Sequence, residues 1–208
     1  MRRNAAVLMP VRKAPLSVYF VRHGQTEWSL SGQHTGRTDI PLTAQGEDEA
    51  RALAPWLKSV QFMRVFTSSR QRARRTCELA GLGSQAELEP DLAEWDYGEY
   101  EGKLSSDIRK ERPNWNVFQN GCPGGEMPAQ ISDRADRLIA RLCAMEGNIA
   151  LFSHGEFGPA LAARWIGLQV VEGKHLLLGT ASLSVLGFNV AHPDLRVIAL
   201  WNAAPGRG

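Results

Sequence analysis

Two apolar runs in this chain stop at the same polar pair, and that coincidence constrains the fold more than any other feature. Leu16 to Val21 runs into Arg22-His23-Gly24, and Asn148 to Phe152 runs into Ser153-His154-Gly155. Each run is short and rich in β-formers, the pattern of a buried strand. A third run, Arg64-Val65-Phe66-Thr67, ends at Ser68-Ser69 before a helical pattern. In open α/β sheets the ligand crevice lies outside the carboxyl ends of the strands. His23, His154 and the start of the helix around Arg70 are therefore expected to converge on one site.

The segments between these runs read as helices. Thr43 is placed to cap a helix whose first turns hold Glu47, Asp48 and Glu49, the charge that a helix N-terminus favours. Ala50, Leu53, Ala54 and Leu57 follow at helical spacing, and Pro55 predicts a kink or an early end. Ser68 or Ser69 is expected to cap the next helix, with Ala73, Thr76, Cys77 and Ala80 on one face. Ile131, Ala135, Leu138, Ile139 and Leu142 share a face of a strongly amphipathic helix. A last helix carries Leu161 and Trp165, and Leu183 to Phe188 and Arg196 to Trp201 read as closing strands. His23 to Leu42 reads as a loop, and Lys103 to Gly125 as Pro- and Gly-marked with at most one short helix. Strands alternating with helices imply an α/β fold, a three-layer sandwich with a largely parallel central sheet flanked by helices.

A length of 208 residues suits one domain, here expected over 16–208 behind a loose N-terminal tail, 1–15. A net charge of +2 argues against a nucleic-acid partner, and the one basic cluster, Arg70, Arg72, Arg74 and Arg75, reads as a solvated helix face rather than a nucleic-acid patch. Three cysteines without close spacing argue against a disulfide framework and a zinc site. Cys77 and Cys143 are expected to be buried in their helices. The stretch Ala5 to Met9 is too short for a signal-peptide core, and no run reaches transmembrane length. The default expectation is a cytoplasmic enzyme without a membrane partner. A homodimer is the default symmetric assembly.

A phosphoryl group carries negative charge, so transferring it calls for fixed cations, and arginine binds two phosphate oxygens at once. A neutral imidazole can serve as nucleophile and a carboxylic acid can protonate the leaving oxygen. This chemistry requires no metal or cofactor, and none is expected. His23 beside Arg22, Arg72 in the first turn of a helix, His154 at a strand end and Glu94 in LAEWDYGEYEG make up such a set.

Several stretches also resemble one family. RHGQTEW at Arg22–Trp28 is similar to the signature of the histidine phosphatase superfamily, also called phosphoglycerate mutase-like. SGQHTGRTDIPLT (31–43) resembles its substrate loop, TSSRQRARRT (67–76) its second arginine motif and LAEWDYGEYEG (92–102) its acid motif. GCPGGE (121–126) and FSHGE (152–156) complete the order. The resemblance implies that His23 becomes phosphohistidine, that Arg22, Arg72 and His154 bind the phosphate, and that Glu94 donates the proton. It places Ser29, Thr35, Gly36 and Tyr97 around the substrate. Gln25 and Thr26 are expected to shape the loop, and Gly24 and Gly155 to allow close backbone approach.

Other residues compete for these roles. Glu99 and Glu101 are rivals for the acid, but the spacing to Tyr97-Gly98 favours Glu94. Arg70, Arg74 and Arg75 are expected to face solvent, with Arg70 the first candidate among them to join the pocket instead. His34 is balanced between substrate contact and the rim, and His175 and His192 are expected at the surface. Glu156 departs from the family pattern. It is expected either to point outward or to tune specificity, for example towards hydroxyl-rich substrates over acids. The functional expectation is a phosphatase of small phosphate monoesters, with a phosphoglycerate mutase as the alternative and a non-catalytic phosphate-binding protein as the weaker rival.

Overall fold

The computed structural model describes residues 15–205. The expected N-terminal tail, Pro15 excepted, lies outside the described residues. Six strands form one sheet: β1 (Ser17–Arg22), β2 (Phe62–Thr67), β3 (Ala86–Leu88), β4 (Asn148–Ser153), β5 (Leu183–Phe188) and β6 (Arg196–Ala203). Their order is β3-β2-β4-β1-β5-β6. Pairings among β3, β2, β4 and β1 are parallel, and β5 and β6 join antiparallel at one side. The sheet is thus largely parallel, as the alternation of strands and helices predicts.

The helices are α1 (Glu27–Ser31), α2 (Ala44–Ala52), α3 (Ala54–Lys58), α4 (Gln71–Leu79), α5 (Ser105–Glu111), α6 (Val117–Asn120), α7 (Pro128–Cys143) and α8 (Phe157–Trp165). One apolar layer joins the sheet to α7 and α8 through Phe20, Leu151, Leu138, Leu142 and Leu161. A second lies on the opposite face, where Leu53, Leu57 and Cys77 meet Val21, Val65 and Phe152. The central strands are buried on both faces and accordingly read as continuous apolar runs.

Several local expectations hold for the stated reason. Thr43 Oγ1 accepts from Gly46 N at 3.0 Å and starts α2. Pro55 sits in the first turn of α3, immediately after the break that ends α2. Others are corrected. The segment 23–42 is not all loop, because Thr26 and Ser29 cap α1 reciprocally. Neither Ser68 nor Ser69 caps α4: the N-cap is Arg70, without a side-chain bond. Ser68 Oγ instead lies 2.8 Å from His154 Nε2. Two short helices, α5 and α6, occupy 103–125, where at most one was expected. Cys143 is exposed, because it follows Leu142 and falls a third of a turn off the buried face of α7.

The register positions the site. Arg22 pairs with Ser153, and Thr67 with Phe152, so β1, β4 and β2 end side by side. The chain then continues in step: His23 N donates to Ser153 O and Ser68 N to Phe152 O, each at 3.0 Å. Gly24 lets the strand exit pack against α2, since a Cβ there would stand 2.2 Å from the Gly46 carbonyl oxygen. That oxygen belongs to the backbone and cannot swing aside. Gly24→Ala is therefore expected to destabilise the protein by about 1–3 kcal/mol, read as a lower midpoint in chemical denaturation.

Candidate active site

The three adjacent strand ends open into a cavity of about 400 Å³. Arg22, His23, Thr26, Ser29, Thr35, Glu94, Tyr97 and Gly155 line it, all of them singled out from the sequence. Gln25, Gly36, Arg72 and His154 stand outside the lining and act on it from behind. Gln25 accepts from Thr43 N and Thr43 Oγ1, at 3.0 and 2.9 Å, and so fastens the strand exit to α2. Gly36 N donates to Glu101, whose carboxylate also accepts from Thr38 N. Glu101 thus anchors the substrate loop and is not available as the acid.

His23 is buried, and its Nδ1 lies 2.7 Å from the Gly24 carbonyl oxygen. A carbonyl only accepts, so Nδ1 carries the proton and the lone pair sits on Nε2. Burial lowers the pKa of His23 well below 6.5, with further lowering from the positive charges of Arg72 and Arg22. The ring is therefore a neutral imidazole at neutral pH.

His154 packs edge-on to His23, with ring centroids 5.3 Å apart. Its Nδ1 accepts from Arg72 Nε at 3.2 Å, so its proton is on Nε2 and is donated to Ser68. Both nitrogens are thereby engaged within the protein. Arg72 is fully buried. It also donates to the carbonyls of Thr38, Thr35 and Gly36 at 2.9, 3.0 and 3.1 Å. Four of its five N–H groups are committed to holding the substrate loop and His154. Arg22 is more open: Nη1 reaches the Leu178 carbonyl at 2.5 Å, while its buried Nε has no partner among the described residues.

Glu94 is held by backbone. Its Oε1 accepts from Trp95 N and Phe157 N at 2.8 and 2.9 Å, and its Oε2 from Glu156 N at 3.0 Å. Buried Arg134 fixes the loop from behind, donating to the carbonyls of Asp91, Ala93 and Glu94 and pairing with Glu126. Glu126 in turn accepts from Asp96 N and Trp95 Nε1. Sequence reasoning assigned no role to Arg134, although its charge on the otherwise apolar face of α7 was a visible signal.

The remaining wall comes from segments whose fold was not readable. Ser105, Arg109 and Asn116 arise around α5 and α6, and Lys174 and Leu176–Leu178 from the stretch before β5. His34 lines the cavity too, bonded to Ser105 Oγ at 3.0 Å and stacked on Tyr97. Burial lowers its pKa to about 4, against the nearby negative charge of Glu101. Arg74, Arg75, His175 and His192 are exposed, as expected, while Arg70 is half-buried and does not line the cavity. Glu156 does not point outward: it is half-buried and lines the cavity. Burial raises its pKa to about 7, helped by the charge of Glu94 and opposed by Arg22. No group of three or more potential metal ligands occurs among the described residues. No described helix is long and apolar enough to cross a membrane.

The chain belongs to the histidine phosphatase superfamily (branch 1), whose model matches residues 18–202. It is 41% identical over 184 residues to an acid phosphatase of Mycobacterium tuberculosis, covering 86% of this chain and 90% of that one. It is 40% identical over 183 residues to sedoheptulose 1,7-bisphosphatase of Saccharomyces cerevisiae, covering 72% of this chain and 67% of that one. Among solved structures, a Mycobacterium tuberculosis open reading frame product superposes with a TM-score of 0.86 at 36% identity, covering 91% of this chain and 98% of that one.

The raised pKa of Glu156 has a consequence for stability. Unfolded, the group titrates near 4.5; folded, it keeps its proton to about 7. Between those values the folded state binds more protons, so this residue lowers stability as pH rises. Urea unfolding is expected to show a smaller loss of stability between about pH 5 and about pH 8 in Glu156→Gln than in the unaltered protein.

Proposed function

We propose that this protein is a metal-independent phosphatase of small phosphate monoesters, sugar phosphates or similar, working through a phosphohistidine on His23. The observation that carries this reading is a neutral imidazole whose Nε2 lone pair is left free on the wall of a cavity shared with Arg22 and Glu94. The unpartnered Arg22 Nε is a further reason to expect an anion there, because a buried N–H without an acceptor is costly.

In the first step His23 Nε2 attacks phosphorus and the ester oxygen leaves with the bonding pair. The Glu94 carboxyl protonates that oxygen as it departs. A carboxylate has roughly four acceptor directions. Three are taken by backbone N–H groups, and the one left on Oε2 can carry the proton. In the second step Glu94 removes a proton from water, which attacks the phosphohistidine and returns His23 to its neutral form. Arg22 offers its free N–H groups to the phosphoryl oxygens. Arg72 and His154 contribute fixed charge and position from behind the wall.

The test is phosphate release by purified protein. His23→Ala is expected to lose hydrolysis of p-nitrophenyl phosphate, and rates equal to the unaltered protein would remove His23 from the mechanism. Glu94→Gln is expected to lose about 10²–10⁴-fold in kcat/KM on an alkyl phosphate. The loss on p-nitrophenyl phosphate is expected to be smaller, because p-nitrophenolate leaves without protonation. Rapid interconversion of 3- and 2-phosphoglycerate with negligible phosphate release would instead establish the mutase reading.

A further inference from the structure

Glu156 is the unusual member of the cavity wall. It directly follows Gly155 and precedes α8, and its backbone N–H holds Glu94 Oε2. Glu156 lines the cavity together with Arg22, His23 and Glu94, yet among the described residues no hydrogen bond or ion pair to its carboxyl is formed. Both oxygens are thus free to meet whatever a substrate carries next to its phosphate.

The groups around it come from several elements. Its charge is felt by, or responds to, Arg22 at the end of β1, Glu94 and Tyr97 of the acid loop, and Cys122 in the turn before α7. Arg109 of α5 and Lys174 lie elsewhere on the same wall. His23 and His34 are held neutral by burial. Burial also pushes Tyr97 well above 10 and the Cys122 thiol to about 12, so none of these four changes charge near neutral pH. Glu156 does, as its carboxyl is raised to about 7.

We propose that Glu156 determines specificity, selecting phosphomonoesters that carry hydroxyl groups beside the phosphate and rejecting those that carry a carboxylate there. A hydroxyl donates to the Glu156 carboxyl in a bond that strengthens when the acceptor is charged. A substrate carboxylate brings like charge into a partly desolvated space, where repulsion is weakly screened. This inference rests on the phosphatase reading of the cavity.

Glycerol 3-phosphate and 3-phosphoglycerate test it, since one carries a terminal hydroxymethyl group where the other carries a carboxylate. The quantity to measure is the ratio of their kcat/KM values for phosphate release, which does not depend on the fraction of active protein. The unaltered protein is expected to favour glycerol 3-phosphate, increasingly as pH rises through about 7, where Glu156 becomes charged. Both substrates share the phosphate ionisation, so it cancels from the ratio. In Glu156→Gln the ratio is expected to fall by about tenfold or more at alkaline pH and to lose its pH dependence. Glu156→Asp should recover part of the preference. An unchanged ratio and pH profile in Glu156→Gln would overturn the proposal. Hydrolysis of p-nitrophenyl phosphate that is lost in His23→Ala would show that such a failure belongs to Glu156 alone. Absence of phosphate release from every substrate would overturn both readings.

Discussion

The hydrogen bond from His23 Nδ1 to the Gly24 carbonyl decides what the rest of the site can do. It spans only one residue, but it commits the ring proton to Nδ1 and leaves the lone pair on Nε2. Its geometry depends on larger structure. β1 lies between β4 and β5 in the sheet, its exit is bonded to Ser153, and Gly24 is pressed on the backbone of α2. Gly24 N is also held, by Thr76 Oγ1 of α4 at 3.0 Å. A side chain placed by the packed centre of a sheet needs little reorganisation when a ligand arrives.

Two buried arginines perform the corresponding work for the loops. Arg72 ties His154 to the carbonyls of the substrate loop, and Arg134 ties the acid loop to Glu126. A buried cation is costly unless its donors are met, and both are met mostly by backbone carbonyls. These ties supplement the apolar packing of Leu92, Trp95 and Tyr97 in the acid loop and fasten the substrate loop. Arg72 therefore belongs to the site chiefly as an organiser of its wall and as a source of positive charge acting on His23.

The parts of this arrangement that were legible in the sequence are those with a regular signal. Apolar runs marked the strands, and His23, His154 and Glu94 stood at their ends or in a matching motif. Roles set by long-range register were not legible. Ser68 read as a helix cap because serine before a helix usually is one, but strand register put His154 in reach of its hydroxyl. The stretch 103–125 lacks a long period because it folds as two short helices. Its buried side chains, Ile108, Trp115, Val117 and Phe118, form a small core of their own with Trp95 and Tyr97. The distal wall of the cavity comes from that stretch, so the shape of the pocket could not be foreseen. α1 was within reach, since Thr26 and Ser29 have the spacing of a reciprocal cap.

In the proposed reaction His23 Nε2 takes the phosphoryl group. Acid-free rapid quenching of the protein during turnover, followed by peptide mass spectrometry and phosphorus NMR, tests it directly. One phosphoryl group is expected on the peptide containing His23, labile to acid, with the NMR signature of substitution at Nε2. A phosphoryl group on Nδ1, on His154 or on a carboxylate or hydroxyl side chain would contradict it.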